Sequence, residues 1–210
     1  MTQVLDKLNW RYATKQFDSS KHVSPEDLET LLEAARLTAS SYGLQPYHII
    51  AVKDKDLRSK LRKASWDQAQ ITDSSYLLVL ANKPTFGENL VDDYIDNLVE
   101  TRGVSKQEVA GYSQMMKSSL LGLSDVQKNS WSTQQAYIVL GNLMNIAAEM
   151  KIDTCPMEGI DNSQYNDILG LADKNLNASV VLAIGYRSKE DKTQDFQKVR
   201  YSKKQLITHI

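Results

Sequence analysis

The 210 residues, 41% hydrophobic and 24% charged, describe an ordinary soluble globular chain long enough for one sizeable core. A formal net charge of -1 argues against a generally basic protein that coats nucleic acid, and no apolar run approaches the ~20 residues a membrane helix needs. One cysteine cannot form an internal disulfide, and the stretch from Met1 to Lys7 lacks the basic-then-apolar order of a signal peptide, so a cytoplasmic location is expected.

No Pro/Gly/Ser-rich stretch divides the chain, and a single domain over residues 1–210 is expected. Near the start, Arg11 and Lys15 of Arg11-Tyr12-Ala13-Thr14-Lys15 stand four apart. In a helix or tight turn both side chains project to one side and can hold one anion. Taken alone, the pair fits a solvated surface better. Ser24-Pro25-Glu26-Asp27 then sets a helix start, with a capping hydroxyl, proline at the first helical position and acids near the positive end of the dipole. Leu28, Leu31, Leu32 and Ala35 continue it at helical spacing as one buried stripe.

The loop Ala39-Ser40-Ser41-Tyr42-Gly43-Leu44-Gln45-Pro46-Tyr47 carries small, hydroxyl and amide residues that suit either contact with a polar ligand or the end of a helix. Residues His48 to Val52 and Tyr76 to Ala81 read as buried strands, with a helix marked by Leu57, Leu61 and Ala64 between them. From Glu88 to Met150 the pattern is helical. Leu90, Tyr94 and Leu98 share a face that stops at Gly103, and Ser105-Lys106-Gln107-Glu108 has the form of a capping box opening a second helix. Trp131 to Met150 is the longest helix expected, and its wide apolar face suggests burial on two sides, one of them a dimer seam.

A strand from Ile152 to Cys155 runs into Pro156-Met157-Glu158-Gly159, read as a turn that lets backbone amides approach a planar ligand, although a plain turn needs the same residues. Cys155 reads as a small buried hydrophobe with no catalytic role. Asp161 caps a helix ending at Gly170, and Ala178 to Tyr186 is a strongly apolar strand. Beyond Arg187 the pattern fails, which leaves a tail that is disordered or laid across another surface, that of a second subunit among the options. Within it Lys198 and Arg200, two apart, share one side of an extended segment. His22, His48 and His209 lack metal-ligand spacing, no P-loop or GxGxxG is present, and Trp10, Trp66 and Trp131 suit core or interface packing.

Five motifs in order carry a resemblance. They are Arg11 to Asp18, the Ser40-Ser41 loop ending Gln45-Pro46-Tyr47-His48, Trp66-Asp67-Gln68-Ala69-Gln70, Pro156-Met157-Glu158-Gly159, and Lys198-Val199-Arg200. Over nearly its whole length the chain resembles the nitroreductase family of FMN-dependent NAD(P)H oxidoreductases. That resemblance implies an α+β fold, a central, mostly antiparallel sheet surrounded by helices, in an intertwined homodimer with FMN at the subunit interface. It implies hydride transfer from NADH or NADPH through the flavin to planar, electron-poor acceptors such as nitroaromatics, quinones or free flavins, with ping-pong kinetics. A flavin storage or sensing protein with little turnover is the alternative.

By the same resemblance, Arg11, Lys198 and Arg200 hold the FMN phosphate, with Tyr12 and Ala13 in the same segment, and Lys15 lies at the N1/O2 edge of the ring. Ser40, Ser41, Gln45, Pro46 and Tyr47 reach the cofactor from the partner subunit. Pro156 and Met157 cover one ring face, and the amides of Glu158 and Gly159 point at N5 and O4. Helices between Glu88 and Leu123 cover the acceptor slot, with Tyr112 a candidate lid residue. The chain departs from the family at Ala13, where relatives carry serine, at Asp67 in place of asparagine, at Gln70 in place of lysine, and at Gly43, which widens the loop. At the pyrimidine edge the carboxylate of Asp67 can accept the flavin N3 hydrogen but repels O4, so Gln68 or Gln70 is the alternative ring contact.

Overall fold

The computed structural model describes residues 2–210. Met1, the first residue of the N-terminal stretch read above, lies outside the described residues. Four strands, β1 (Tyr47–Val52), β2 (Tyr76–Asn82), β3 (Asp153–Met157) and β4 (Asn177–Gly185), form one antiparallel sheet in the order β1-β2-β4-β3. All seven residues of β2 are buried, because this strand is central and covered on both faces. Hence its sequence is a continuous apolar run rather than an alternation.

The pleat sorts side chains to two cores. Leu77, Val79, Ala81, Cys155, Met157, Val181 and Ala183 point to one face, where α3 (Lys55–Lys63), α4 (Gln70–Asp73) and α8 (Asn162–Leu169) cover them through Leu61, Ile71 and Tyr165. Tyr76, Leu78, Leu80, Val180, Leu182 and Ile184 point to the other, against α2 (Pro25–Arg36) and α7 (Asp125–Glu149). A third cluster gathers Leu44 and Phe86 with α5 (Asn89–Arg102) and α6 (Ala110–Leu120) beside the sheet. The expected α+β fold, an antiparallel sheet between helices, is therefore present.

Helix ends follow their local chemistry. Ser24 accepts from Asp27 N with Pro25 next to it, Asp161 accepts from Gln164 N, and Gly103 and Gly170 end their helices in the left-handed region. Two boundaries differ from the sequence reading. Ser105 and Glu108 do bond reciprocally, but they close a turn, and α6 begins only at Ala110. The long helix starts six residues before Trp131, because Ser124 and Gln127 form a capping box. Its apolar face is buried on two sides by its own chain, against α2 and the sheet. Ser124→Ala is expected to cost about 1 kcal/mol and to lower Tm by about 2–4 °C in a thermal melt, with the spectrum of the folded chain unchanged.

The segment after α1 (Gln3–Trp10) is not helical: it leaves Arg11 extended and bends at Lys15 and Gln16. Ala13 bridges Thr154 in parallel and Phe17 bridges Arg187, so the N-terminal segment lies along the outer edge of β3. The tail is not shapeless at its start either. Ser188 N donates to Gln16 O, and a short turn over Lys192–Asp195 folds back on the N-terminal segment. Only from Phe196 onward does the chain run exposed, apart from the half-buried Lys198, through a short α9 (Lys203–Leu206).

Candidate functional site

The two ends of the chain meet at the β3 edge. Lys198 Nζ donates to the Arg11 carbonyl, the charge of Arg200 reaches Arg11, and those of Arg11, Arg200 and Arg187 reach Lys198. Burial, then the Arg200 charge, pulls the Arg11 guanidinium down from its ordinary range. Burial, then Arg11, Arg200 and Arg187, does the same to Lys198. Arg11, Lys198 and Arg200 form no ion pair among the described residues, and Arg11 Nε is buried without a hydrogen-bond partner. A cluster of unpaired cations with an orphaned guanidinium nitrogen is the arrangement an oxyanion satisfies.

Three residues that no sequence motif singled out hold this cluster in place. Asp191, only 1% exposed, accepts from Lys15 N at 2.8 Å, Gln16 N at 3.1 Å, Tyr12 Oη at 2.9 Å and Thr193 N at 3.0 Å. Burial alone would raise its carboxyl, and the bonds from Gln16, Lys15 and Tyr12 outweigh that and hold it below the usual range. Arg187 pairs with buried Asp153 at 2.5 Å and lies between the rings of Trp10 and Tyr12, 4.3 and 4.6 Å from their centroids. Burial and the bond to Asp191 push the Tyr12 hydroxyl upward, so it stays a donor. Asp191 sits in a polar stretch with no periodicity. Only its position against the N-terminal segment reveals its role.

Arg11 enters an extended stretch in which Ala13 bridges Thr154, and the chain bends at Lys15 and Gln16, so Arg11 and Lys15 are brought near Cys155 by this path instead of by a helical turn. Both charges act on the Cys155 thiol, which burial nevertheless raises. Thr14 beside it is fully buried with an unpartnered Oγ1.

Pro156 and Met157 are not in a turn. They are the last residues of β3, where proline is tolerated because the strand is at the sheet edge. Met157 packs into the core with Cys155, so its side chain cannot lie over a ring. Pro156, half-buried, points the other way. The turn proper is Glu158-Gly159, with Ile160 N donating to Glu158 O at 2.7 Å. Tyr137 Oη donates to the Glu158 carboxylate at 2.6 Å. Burial and that bond push the Tyr137 hydroxyl up to about 12.

The Trp66 loop closes on this turn. Gln68 Nε2 donates to Gly159 O at 2.9 Å, and a Cβ on Gly159 would come within 2.8 Å of the Trp66 ring. Trp66 and Asp67 are both left-handed, at φ 53° and 55°, and Trp66 is 80% exposed, so of the core and interface roles expected for it the core one is excluded. Asp67 pairs with Arg62 Nε at 2.8 Å, Gln68 is engaged by Gly159, and Gln70 opens α4 half-buried.

The Ser40 loop lies apart from the cationic cluster within one chain. Ser40 Oγ accepts from Gln45 N, Ser41 N donates to Gln135 Oε1, Gln45 Nε2 donates to Arg36 O and Tyr47 Oη, and Pro46 is buried. Gly43, at φ 77°, does not widen this loop but lets it close, since a Cβ there would come within 3.0 Å of the Tyr94 ring. Tyr94 meets Tyr112 edge-on, and Tyr112 Oη donates to Tyr42 O, which joins α5 and α6 to the loop.

The nitroreductase family model matches residues 8–186. A protein of Staphylococcus epidermidis provisionally named an NAD(P)H nitroreductase is 36% identical over 99% of this chain and 96% of its own length. A Bacillus subtilis protein with the same provisional name is 36% identical over 90% of each chain. In fold, the chain matches the crystal structure of a provisionally named nitroreductase of Bacillus subtilis, with a TM-score of 0.85, 24% identity and 98% of each chain covered. It likewise matches one of Exiguobacterium sibiricum solved in complex with FMN, with a TM-score of 0.84, 18% identity, all of this chain and 98% of that one.

Proposed function

The chain belongs to the nitroreductase family, and from that premise we propose that this oxidoreductase is a single-domain, FMN-dependent enzyme passing a hydride from NAD(P)H to planar, electron-poor acceptors. The observation that carries the cofactor reading is the unpaired group Arg11, Lys198 and Arg200 with its orphaned guanidinium nitrogen. A dianionic phosphate would neutralise these cations and accept the bond that Arg11 Nε lacks. Bound FMN supplies two-electron chemistry, taking hydride from a nicotinamide and giving it to an oxidant.

What the chain's own residues do follows from their positions. Lys15, anchored through its backbone to Asp191, places a positive charge near Cys155, as Arg11 does, where it would favour a negatively charged reduced ring. Every 1.4 kcal/mol of such preference is about 30 mV of two-electron potential. Tyr137 and Gln68 brace the Glu158-Gly159 turn from two sides, which orients its backbone toward a ring edge. Pro156 offers a flat apolar surface on the outward face of β3. The Ser40 loop cannot complete this site from its own chain, and the exposed tail leaves Phe196, Val199 and Tyr201 uncovered. Both fit a homodimer in which each site takes a loop from the partner.

Tyr137→Phe is expected to lower turnover about three- to tenfold with little change in FMN affinity, because it frees the Glu158 side chain without touching the cations. In the wild type the hydroxyl remains a donor up to about pH 10, its ionisation lying near 12.

The decisive test is the visible spectrum of the purified protein, followed anaerobically as NADH or NADPH and then a quinone are added. Flavin bands that bleach and return support the enzyme, with parallel initial-rate plots for ping-pong turnover. Bands that persist indicate flavin storage or sensing. A colourless protein that takes up no FMN overturns the reading.

A further inference from the structure

Away from the β3 edge, α3 buries an arginine that no carboxylate pairs among the described residues. Arg58 is 4% exposed, its Nη1 donates to Ser74 O at 2.5 Å and Ser74 Oγ at 3.4 Å, and its Nε has no partner. A guanidinium carries five donors, and burying it without an acceptor for each is costly. Arg58 lines two adjoining cavities, of about 260 Å³ and about 330 Å³, beside the start of α2.

Around it stand Lys55 and His22, on both cavities, and Lys53 at the edge of one. The hydroxyls of Ser59 and Ser74 line the wall. Asp73 is the one carboxylate on the lining, and its Oδ1 is taken by the Thr72 hydroxyl at 2.8 Å. Asp54 nearby is spent on capping α3 through Leu57 N. Neither acid forms a salt bridge to Arg58, whose guanidinium burial pulls down from its ordinary range while Asp73 and Asp54 offset this only in part. The balance is net positive, with a buried, unfilled donor on Arg58 and the exposed cations Lys53 and Lys55 around it.

We propose that this pair of cavities is a second oxyanion site that takes one phosphate group, held by the Arg58 guanidinium from below and by Lys55 at its mouth. A phosphate fits the fork of an arginine in two parallel bonds, and the rim lysine adds charge without fixed geometry. The site is built from α3, the end of α4, the loop before α2 and the loop before β2, and shares no residue with the Arg11 cluster.

The test is calorimetric titration of inorganic phosphate into the FMN-saturated protein in phosphate-free, low-salt buffer. One saturable event per chain in the millimolar range is expected. It should weaken at least about tenfold in Arg58→Lys, which keeps the charge and loses the fork, and about threefold in Lys55→Gln. Lys55 is exposed, so that variant keeps the test decisive if Arg58→Lys fails to fold. Absence of saturation, or saturation unchanged in Lys55→Gln and in folded Arg58→Lys, overturns the proposal.

The same titration without FMN separates this site from the cofactor reading. If Arg11, Lys198 and Arg200 hold the cofactor phosphate, a second event appears there. If that reading fails, the two titrations coincide and the Arg58 event stands alone. A ribose phosphomonoester run in parallel identifies the source: tighter binding than inorganic phosphate marks a nucleotide, and weaker binding marks the free anion.

Discussion

Arg11→Ala is expected to weaken FMN binding by about 10- to 100-fold, measured as quenching of flavin fluorescence by the apoprotein. A charge-assisted hydrogen bond contributes about 1.5–3 kcal/mol, and each 1.4 kcal/mol is tenfold in affinity. The same substitution should leave the thermal stability of the apoprotein unchanged or raise it. Arg11 is crowded by Arg200 and Lys198 and has no acid to offset the repulsion, so its removal relieves strain in the empty site. A merely structural arginine would move both quantities downward. Loss of apoprotein stability with unchanged flavin affinity would therefore sink the assignment. Salt should weaken binding to the wild type more steeply than binding to the variant, since fewer fixed charges then face the phosphate.

Asp191→Ala is expected to be the most damaging single change to the site's framework, lowering Tm by about 6–12 °C and costing about 3 kcal/mol. Four donors, the amides of Lys15, Gln16 and Thr193 and the hydroxyl of Tyr12, lose their acceptor in a place that water barely reaches. Flavin affinity should fall with stability, because the N-terminal segment and the tail are clamped together through this carboxylate. The pH dependence has a definite sign. The folded carboxyl is held below its unfolded range near 3.9, so its stabilisation is present above that value and is lost as pH falls through the lower folded value. Asp191→Asn should remove that acid-dependent component. Variant and wild-type stability curves that stay parallel down to pH 3 would show that Asp191 is not held ionised.

Local chemistry was legible wherever a short stretch of chain decides its own structure. Ser24-Pro25 and Asp161 cap helices, Gly103 and Gly170 end them, and the apolar runs of β2 and β4 are buried on both faces. Each depends on neighbours within a few residues, or on a periodicity that only a covered strand or helix face requires. Boundaries failed where two local signals competed. The Ser105 box closed a turn in place of a helix, and Pro156-Met157 continued an edge strand because only an edge spares a proline its missing ladder bond.

The amino-acid sequence by itself thus determined helices α2, α3 and α5 to α8, most of each of the four strands, the family, and the cations at the two ends that are available to an anion. Only the tertiary structure decided that those ends meet, that Asp191 and Arg187 fasten them, that Met157 is core and Trp66 surface, and that Arg58 lies buried with a donor unfilled. The physical reason is range. Capping, turns and amphipathic periodicity act over three or four residues and leave a trace in composition. A carboxylate serving donors more than 170 residues away leaves none, because its partners are set by strand order and chain path and not by anything beside it in the chain.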